Sequence, residues 1–435
     1  MSINNYQVQP ASITKFEITN TKSGKSVNAT QLIAQFSYFE SIVKPAVTLN
    51  IIIVESGNSV DKNGKSVSLL DGLPLRGGEK VEIEFTDKNN PPNKISLSNL
   101  YINGIGNIIQ DGQKTLYNLH ICSNEYLTNE SIFVSKCYTG KISETVTKIL
   151  KDELKVSNVF VDETINEEKV FGLQLHPLEL CTTLAKRSIP NLPNAKGFTA
   201  GYFFYQTADG YNFKSIDGMF DTSGKTVKKF IFNKTPEYPV GYDGKILSFT
   251  PDRTIDVKTQ LKNGAYGIKN VSFNPDSLEI ENKELGIKDQ DKKAIPSGKE
   301  YTFLPDELLK ATQIAYGVLD VKQSITGKDA DEQLDKMEKD PKKLNLDIPN
   351  LFAQANMRYN QLFTQKFNIT IPGDISLRAG QIIKCDFPLT STEENKTIDE
   401  SISGIYMIES LRHSLSPEQT VTYLTLVRDS FGRIP

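Results

Sequence analysis

Leu75-Arg76-Gly77-Gly78-Glu79-Lys80-Val81-Glu82-Ile83-Glu84-Phe85 recurs far downstream as Leu377-Arg378-Ala379-Gly380-Gln381-Ile382-Ile383-Lys384-Cys385-Asp386-Phe387. Leu, Arg, Gly and Phe hold their places, and most other positions keep their chemical character. Each copy reads as a turn feeding a strand, with Gly78 and Gly380 permitting a bend that a side chain would hinder. Replacing either glycine with Val is expected to impair folding.

The similarity extends on both sides. At a constant shift of 305, Leu97-Ser98-Asn99-Leu100-Tyr101-Ile102 falls on Ile402-Ser403-Gly404-Ile405-Tyr406-Met407, and Thr115, Leu119, Ile121 and Tyr126 fall on Thr420, Leu424, Leu426 and Phe431. Upstream, at a looser shift of 320, Phe39, Ile42, Val47, Leu49 and Ile51 fall on Tyr359, Leu362, Phe367, Ile369 and Ile371. Val47, Leu49, Ile51 and Ile53 share one face of a period-two pattern, as do Tyr423, Thr425 and Val427, which marks half-buried antiparallel strands. Asp111-Gly112 and Ser416-Pro417-Glu418 occupy the hairpin position between the last two strands of each copy. Leu-Arg-x-Gly turns do recur by chance in β-rich chains. A match of order, spacing and turns through three consecutive segments favours duplication of one small antiparallel β-barrel.

Between the copies the periodicity changes. Ile142, Val146, Ile149 and Leu150 have helical spacing, with Ser143 as a candidate cap and Glu144 in the first turn, where the helix dipole favours a carboxylate. Pro177 suits the start of a second helix with the apolar stripe Leu178, Cys181, Leu184 and Ala185, stopped at Ile189-Pro190. The aromatic run Gly201-Tyr202-Phe203-Phe204-Tyr205-Gln206 then passes through Ala208-Asp209-Gly210 into Tyr211-Asn212-Phe213-Lys214, a hairpin signature. The polar stretches Leu278–Glu300 and Lys322–Lys343 read as exposed loops or solvated helices. The fold class is therefore β-rich α+β. Residues 1–127 form the first barrel and 128–230 an α+β insert with two helices and an aromatic hairpin. A mixed, loop-rich segment, 231–345, partly completes the second barrel, which occupies 346–435.

Composition narrows function by exclusion. The chain has 435 residues with 50 Lys and Arg against 53 Asp and Glu, so charge gives no argument for sequence-specific nucleic-acid or membrane-surface binding. Neither a secretory signal nor a membrane-length apolar run is visible, the longest apolar run being Ile51–Val54. Cys122, Cys137, Cys181 and Cys385 lack CxxC spacing and read as reduced, mostly buried residues. His120, assigned to a strand, His176, and His413, assigned to a turn, have no metal-ligand spacing. Gly197-Phe198-Thr199-Ala200-Gly201 lacks the strand-turn-helix setting of a nucleophile elbow. Gly104-Ile105-Gly106 and Ser23-Gly24-Lys25-Ser26 fall short of nucleotide-binding motifs. No carboxylate pair is singled out for glycoside hydrolysis. The expectation is a protein that is not an enzyme, with no catalytic, cofactor or metal residues. The residues singled out are those of the repeated turn: Leu75, Arg76, Gly78, Phe85, Leu377, Arg378, Gly380 and Phe387.

Two stretches carry a resemblance to a known family: Pro177–Phe220, a helix leading into the aromatic hairpin, and Ile402–Asp429, ending Thr425-Leu426-Val427-Arg428-Asp429 like a last barrel strand. In layout the chain resembles the baseplate hub family of T-even-like contractile-tail phages, whose barrels are shared with the base of VgrG spikes. The resemblance implies a homotrimeric torus bound by a central spike, by tail tube or tube-initiator proteins and by surrounding baseplate wedge proteins. DNA would pass as non-specific cargo, without stable membrane insertion. The location would be the virion's tail baseplate, after synthesis in the host cytoplasm. Duplication gives that assembly a physical reason, since three chains with two similar units each present six quasi-equivalent positions. Arg76 and Arg378 are expected either to pair at an interface or to anchor their own turns. Two other classes compete. One is a tail-tip enzyme or adhesin with an exposed aromatic cleft at Tyr202–Phe213. The other is a VgrG-like spike base, which would carry a repetitive β-helical tail after Arg428.

Overall fold

The computed structural model describes residues 11–62, 65–87, 93–192, 197, 199–232, 244–253, 256–274, 278–288, 294–301, 304–318, 348–389, 398–417 and 419–432. The Lys322–Lys343 stretch lies outside them. The first half contains β1 (Ser12–Thr19), β2 (Ser26–Asn28), β3 (Ile33–Ser41), β4 (Thr48–Glu55), β5 (Val60–Lys62), β6 (Lys65–Val67), α1 (Leu69–Gly72), β7 (Lys80–Thr86), β8 (Lys94–Asp111) and β9 (Lys114–Ser123). A middle region follows with α2 (Asn124–Asn129), β10 (Cys137–Lys141), α3 (Ile142–Asp152), β11 (Val159–Val161), β12 (Glu167–Phe171), α4 (Pro177–Ala185), β13 (Tyr202–Thr207), β14 (Gly210–Ser215) and α5 (Ile216–Phe220). It continues through β15 (Lys228–Ile231), β16 (Ser248–Arg253), α6 (Val257–Lys262), β17 (Gly267–Asn274), β18 (Glu279–Gly286), β19 (Gln313–Val318) and α7 (Ile348–Leu362). The second half ends the chain with β20 (Gln365–Pro372), β21 (Ile382–Asp386), β22 (Gly404–Leu415) and β23 (Thr420–Arg428).

Both halves lie in one 13-stranded sheet, ordered β16-β20-β23-β22-β3-β4-β9-β8-β7-β1-β2, with β21 also paired to β22 and β15 to β21. Among the described residues this path does not close on itself. The halves meet where β3 pairs antiparallel with β22, Phe36 opposite Leu415 and Ser41 opposite Ser410.

The same core contact is built twice. Phe36 on β3 and Phe85 on β7 are separated by three strands along the sheet, yet their ring centroids are 5.0 Å apart. The first half therefore curls over its own interior. Phe85 aligns with Phe387 in the repeated turn, and Phe387 lies 4.9 Å from Phe249 on β16. Strand register makes Phe249 the counterpart of Phe36. Phe36 faces Ile51 and Ile51 faces Leu119, while Phe249 faces Ile369 and Ile369 faces Leu424. Leu119 and Leu424 are the pair aligned from sequence. A β-bulge also recurs: pairing with the last strand skips one residue between Ile102 and Gly104, and again between Ile408 and Ser410.

Register corrects the alignment in two places. Gly78 N–H donates to Ile102 O and Gly380 N–H to Ile408 O, both at 2.8 Å, so Ile102 matches Ile408, one residue beyond Met407. Upstream, Leu49 and Ile51 match Phe367 and Ile369, two residues earlier than a shift of 320 places them; a two-residue slip keeps the face, which is why the apolar pattern could not detect it. Phe39 and Ile42 have no partners in Tyr359 and Leu362, which lie on α7. The counterpart of β3 is β16, supplied from the middle region with α6, β17–β19 and α7 inserted after it.

The middle region has its own interior. The apolar faces of α3 and α4 pack with Tyr202, Phe204, Tyr211 and Phe213 of the β13–β14 hairpin, whose strands close at Thr207 opposite Gly210. Ser143 is not the cap of α3. It lies inside the helix, and Thr164 Oγ1 accepts its N–H at 3.1 Å, so the cap comes from another segment. Of the charged stretch Leu278–Glu300, 289–293 lie outside the described residues, and Glu279–Gly286 is not loop or helix but a strand, β18, paired with β17 along its length. Its charges sit on an edge, where they discourage further pairing. One face of β17 packs through Ile268 on Ala353 and Met357 of α7.

Candidate functional site

The two repeated turns share a backbone and differ in what holds them. Gly78 and Gly380 have φ of +85° and +80°, a region glycine enters without strain. Leu75, Leu377, Phe85 and Phe387 are buried in the shared core. In the first turn Glu79 secures its own loop, accepting Arg76 N–H at 2.8 Å and Gly77 N–H at 3.0 Å. Arg76 itself is exposed.

The second turn has Gln381 where the first has Glu79, and its amide oxygen accepts only Arg378 N–H, at 3.1 Å. The next N–H, of Ala379, is taken at 2.8 Å by Glu40, a β3 residue of the first half. Glu40 also accepts Ala208 N–H from the hairpin tip at 2.8 Å and the Tyr38 hydroxyl at 2.7 Å. Burial raises its pKa, and the Arg378 guanidinium partly offsets that. Arg378 donates to Asp209 from Nε at 2.9 Å and from Nη2 at 3.3 Å, and its Nη1 donates to the Ile375 and Leu377 carbonyls. One carboxylate thus ties together the first half, the insert and the second turn. Sequence reading singled out Arg378 but missed Glu40, because nothing local marks a lone glutamate in a strand.

A second buried charge cluster was also invisible in sequence. Arg358 on α7 reaches Asp217 and Asp429, each at 2.9 Å, with all three side chains fully buried. The two carboxylates outweigh the burial that would lower the Arg358 pKa. Asp429 is held below its ordinary value: burial would raise it, but Arg358 and the Ser297 hydroxyl and N–H outweigh that. This cluster fastens α5 and α7 to the end of β23.

The sheet's solvent-facing side completes the picture. From β20 to β9 the alternation turns Asn368, Thr370, Thr425, Ser410, Ser37 and Asn50 outward in register, and it brings no Asp or Glu to that side. Glu409 reaches it from the bulge, where one carboxylate oxygen accepts the Ser41 hydroxyl and the other the Ser410 hydroxyl. Arg412 lies 4.0 Å over the Tyr423 ring. At the β3–β22 seam the side forms a groove of about 450 Å³.

The histidines stay apart in role. His120 is an exposed residue of β9, and His176 bonds the Ile132 carbonyl through Nδ1. His413 lies inside β22 rather than in a turn; burial foremost, with Arg378 second, lowers its pKa to about 4, and Nδ1 meets Thr422 Oγ1 at 2.9 Å. Of the cysteines only Cys137 is exposed. Among the described residues no group of three or more His, Cys, Asp and Glu is placed to hold a metal ion, and no helix is long and apolar enough to cross a membrane.

No family model matches the chain, and no curated protein sequence matches it. Solved structures do. The tail protein from Neisseria meningitidis MC58 superposes with a TM-score of 0.56 at 11% identity, covering 97% of each chain. The 43 kDa tail protein of prophage MuSo2 from Shewanella oneidensis gives 0.49 at 8% identity, covering 96% of this chain and 100% of that one. An E. coli component of the type VI secretion system gives 0.43 at 8% identity, covering 98% and 79%. The first of these likenesses shows that the chain has the fold of a tail protein.

Proposed function

We propose that this chain is a structural, non-catalytic baseplate hub of a contractile phage tail. Three copies close into a pseudo-sixfold ring that joins the tail tube to a central spike and passes DNA during ejection. The carrying observation is the duplication within the fold: the Phe36–Phe85 contact repeated as Phe249–Phe387 and the bulge repeated at the same register. Two equivalent units per chain let a threefold ring present six similar positions to a tube and three to a spike. On this reading the four segments 1–127, 128–230, 231–345 and 346–435 are a first barrel, two inserts and a second barrel to which β15 and β16 return. The spike, the tube or its initiator and the wedge proteins are the partners, no cofactor is needed, and the protein resides in the virion baseplate after synthesis in the host cytoplasm.

The outward side of the sheet suits a channel wall. Hydroxyls and amides with few cations give passing phosphates little to adhere to, and carboxylates that would repel them are nearly absent. The tail-tip adhesin or wall-degrading enzyme is disfavoured because Tyr202, Phe204, Tyr211 and Phe213 are buried and offer no aromatic cleft. The VgrG-like spike base remains the alternative that shares this fold. Averaged electron micrographs of the purified protein test the proposal: a ring of six lobes is expected, and particles with no ring contradict it.

A further inference from the structure

The insert meets the second repeated turn across a cleft of about 550 Å³, inside the range of roughly 300–1,000 Å³ in which ligand pockets fall. One wall is the insert, with Phe160 of β11, Tyr205 of β13, Lys214 of β14 and Met219 of α5; the other is the chain at 225–228 together with the turn at 376–383. One end is fixed by contacts already described. Glu40 holds the Ala208 and Ala379 N–H groups, and Asp209 holds Arg378, so the cleft is formed before anything enters it. The first turn has no such neighbour, since a Cβ on Gly78 would meet nothing within 4 Å. The cleft is therefore made once per chain, by the insert rather than by the duplication.

Two observations give it a chemistry. The first is a buried hydroxyl without a good partner. Tyr205 is 3% exposed, and its hydroxyl rests on Gly380, where a Cβ would stand only 2.1 Å away. Its one hydrogen bond among the described residues goes to the Met219 thioether at 3.9 Å, a weak acceptor. Buried hydroxyls ordinarily find an oxygen or nitrogen, and this one lines a cleft with room to supply it. The second observation is charge. Lys214, Lys225, Lys228 and Arg378 line the cleft against the carboxylates of Asp162 and Asp209. Lys214 pairs with Asp162 at 2.8 Å, Arg378 with Asp209 at 2.9 Å and Lys228 with Asp374 at 2.6 Å. Lys225 meets only the Gly218 carbonyl among the described residues, at 3.4 Å. Apolar side chains share the lining, notably Phe160 at 44% exposure.

We propose that this cleft docks a short acidic segment of a partner protein. An Asp or Glu carboxylate of that segment meets Lys225 and Lys228, a peptide carbonyl accepts the Tyr205 hydroxyl, and an apolar side chain covers Phe160. The occupant is a peptide rather than a nucleic acid because Asp162 and Asp209 lie beside two of the cations. There they repel a chain that carries a phosphate at every residue, whereas a peptide places its carboxylates at the lysines alone. The site is complete within one chain, so the inference goes beyond the hub reading and does not depend on three copies closing.

An arrayed library of random heptapeptides, probed with the purified full chain, tests it. Retained peptides are resynthesised with a fluorophore and titrated by anisotropy against the parent, Lys225→Glu and Tyr205→Phe, with thermal melts confirming that both variants fold. The expected set is rich in Asp and Glu beside an apolar residue. Its members bind Lys225→Glu about tenfold more weakly and Tyr205→Phe several-fold more weakly, and their affinity falls as salt rises. No retained peptide, a set lacking carboxylates, or equal affinity for the parent and both variants would overturn the proposal. So would an oligonucleotide that displaces the peptides, or retention by monomers that is lost when copies associate, results that assign the cleft to nucleic acid or to a second copy. None of these outcomes bears on whether the ring closes.

Discussion

The two glycines of the repeated turn are equivalent in backbone and unequal in surroundings. A Cβ on Gly78 would meet nothing within 4 Å, whereas on Gly380 it would come within 2.1 Å of the Tyr205 hydroxyl. Gly78→Ala should therefore cost only the strain of a positive φ, about 1–2 kcal/mol. Gly380→Ala adds overpacking of about 1–3 kcal/mol. Urea melts of the two variants check the order, and equal midpoints would contradict it. Removing Arg358 should be costlier still. Arg358→Ala strands two buried carboxylates, and about 3–5 kcal/mol is expected from breaking such a cluster. Because the Asp429 pKa is depressed in the fold, its share of stability is complete above about pH 3.8 and lost only as pH falls through the lower folded value. Glu168 behaves in the opposite sense. Burial raises its pKa to about 7, with Arg187 3.0 Å away offsetting part of the effect. The fold favours its protonated form, so its contribution declines between about pH 4.5 and 7 and is flat above. The stability of Glu168→Gln relative to the parent should thus rise from pH 5 to pH 7, by up to about 3 kcal/mol. A constant difference across that range would show that Glu168 is ionised throughout.

At the scale of elements, what could be read in the sequence was what local chemistry determines. The α3 and α4 stripes, Pro177 at the start of α4 and the Asp209-Gly210 hairpin all declare themselves within a few residues. The repeated turn did so because Leu, Gly and Phe must sit at fixed spacings to bury two side chains around one bend. Register was less legible. The bulges after Ile102 and Ile408 shift pairing by one residue without any composition signal. β16 could not be recognised as the partner of β20 because α6, three strands and α7 intervene. The α3 cap likewise comes from a distant segment. Thr164→Val removes the acceptor for Ser143 N–H and should destabilise the fold by about 1 kcal/mol, with hydrogen exchange rising at residues 142–145. Unchanged protection there would show that the cap is dispensable. The two turns should also respond separately. Glu79→Gln is expected to loosen only residues 76–78, whereas Glu40→Gln should loosen residues 378–380 together with the hairpin tip at Ala208. Equal exchange changes at both turns in either variant would contradict their separate anchoring.

On the scale of the molecule, the duplication gives two curled halves fused edge to edge where β3 pairs with β22, and the proposed ring rests on that duplication. The Glu40 and Arg358 clusters are long-range: Glu40 and Ala379 are 339 residues apart, and Arg358 lies 141 and 71 residues from Asp217 and Asp429, so no window of sequence displays them. Both tie the insert to the sheet. The most direct test of the central claim is the mass of the purified protein in solution, measured by sedimentation at micromolar concentration. A trimer is the predicted species. A stable monomer would leave the two halves and their internal seam intact but contradict the hub, and would move the function toward a receptor-binding or enzymatic tail component.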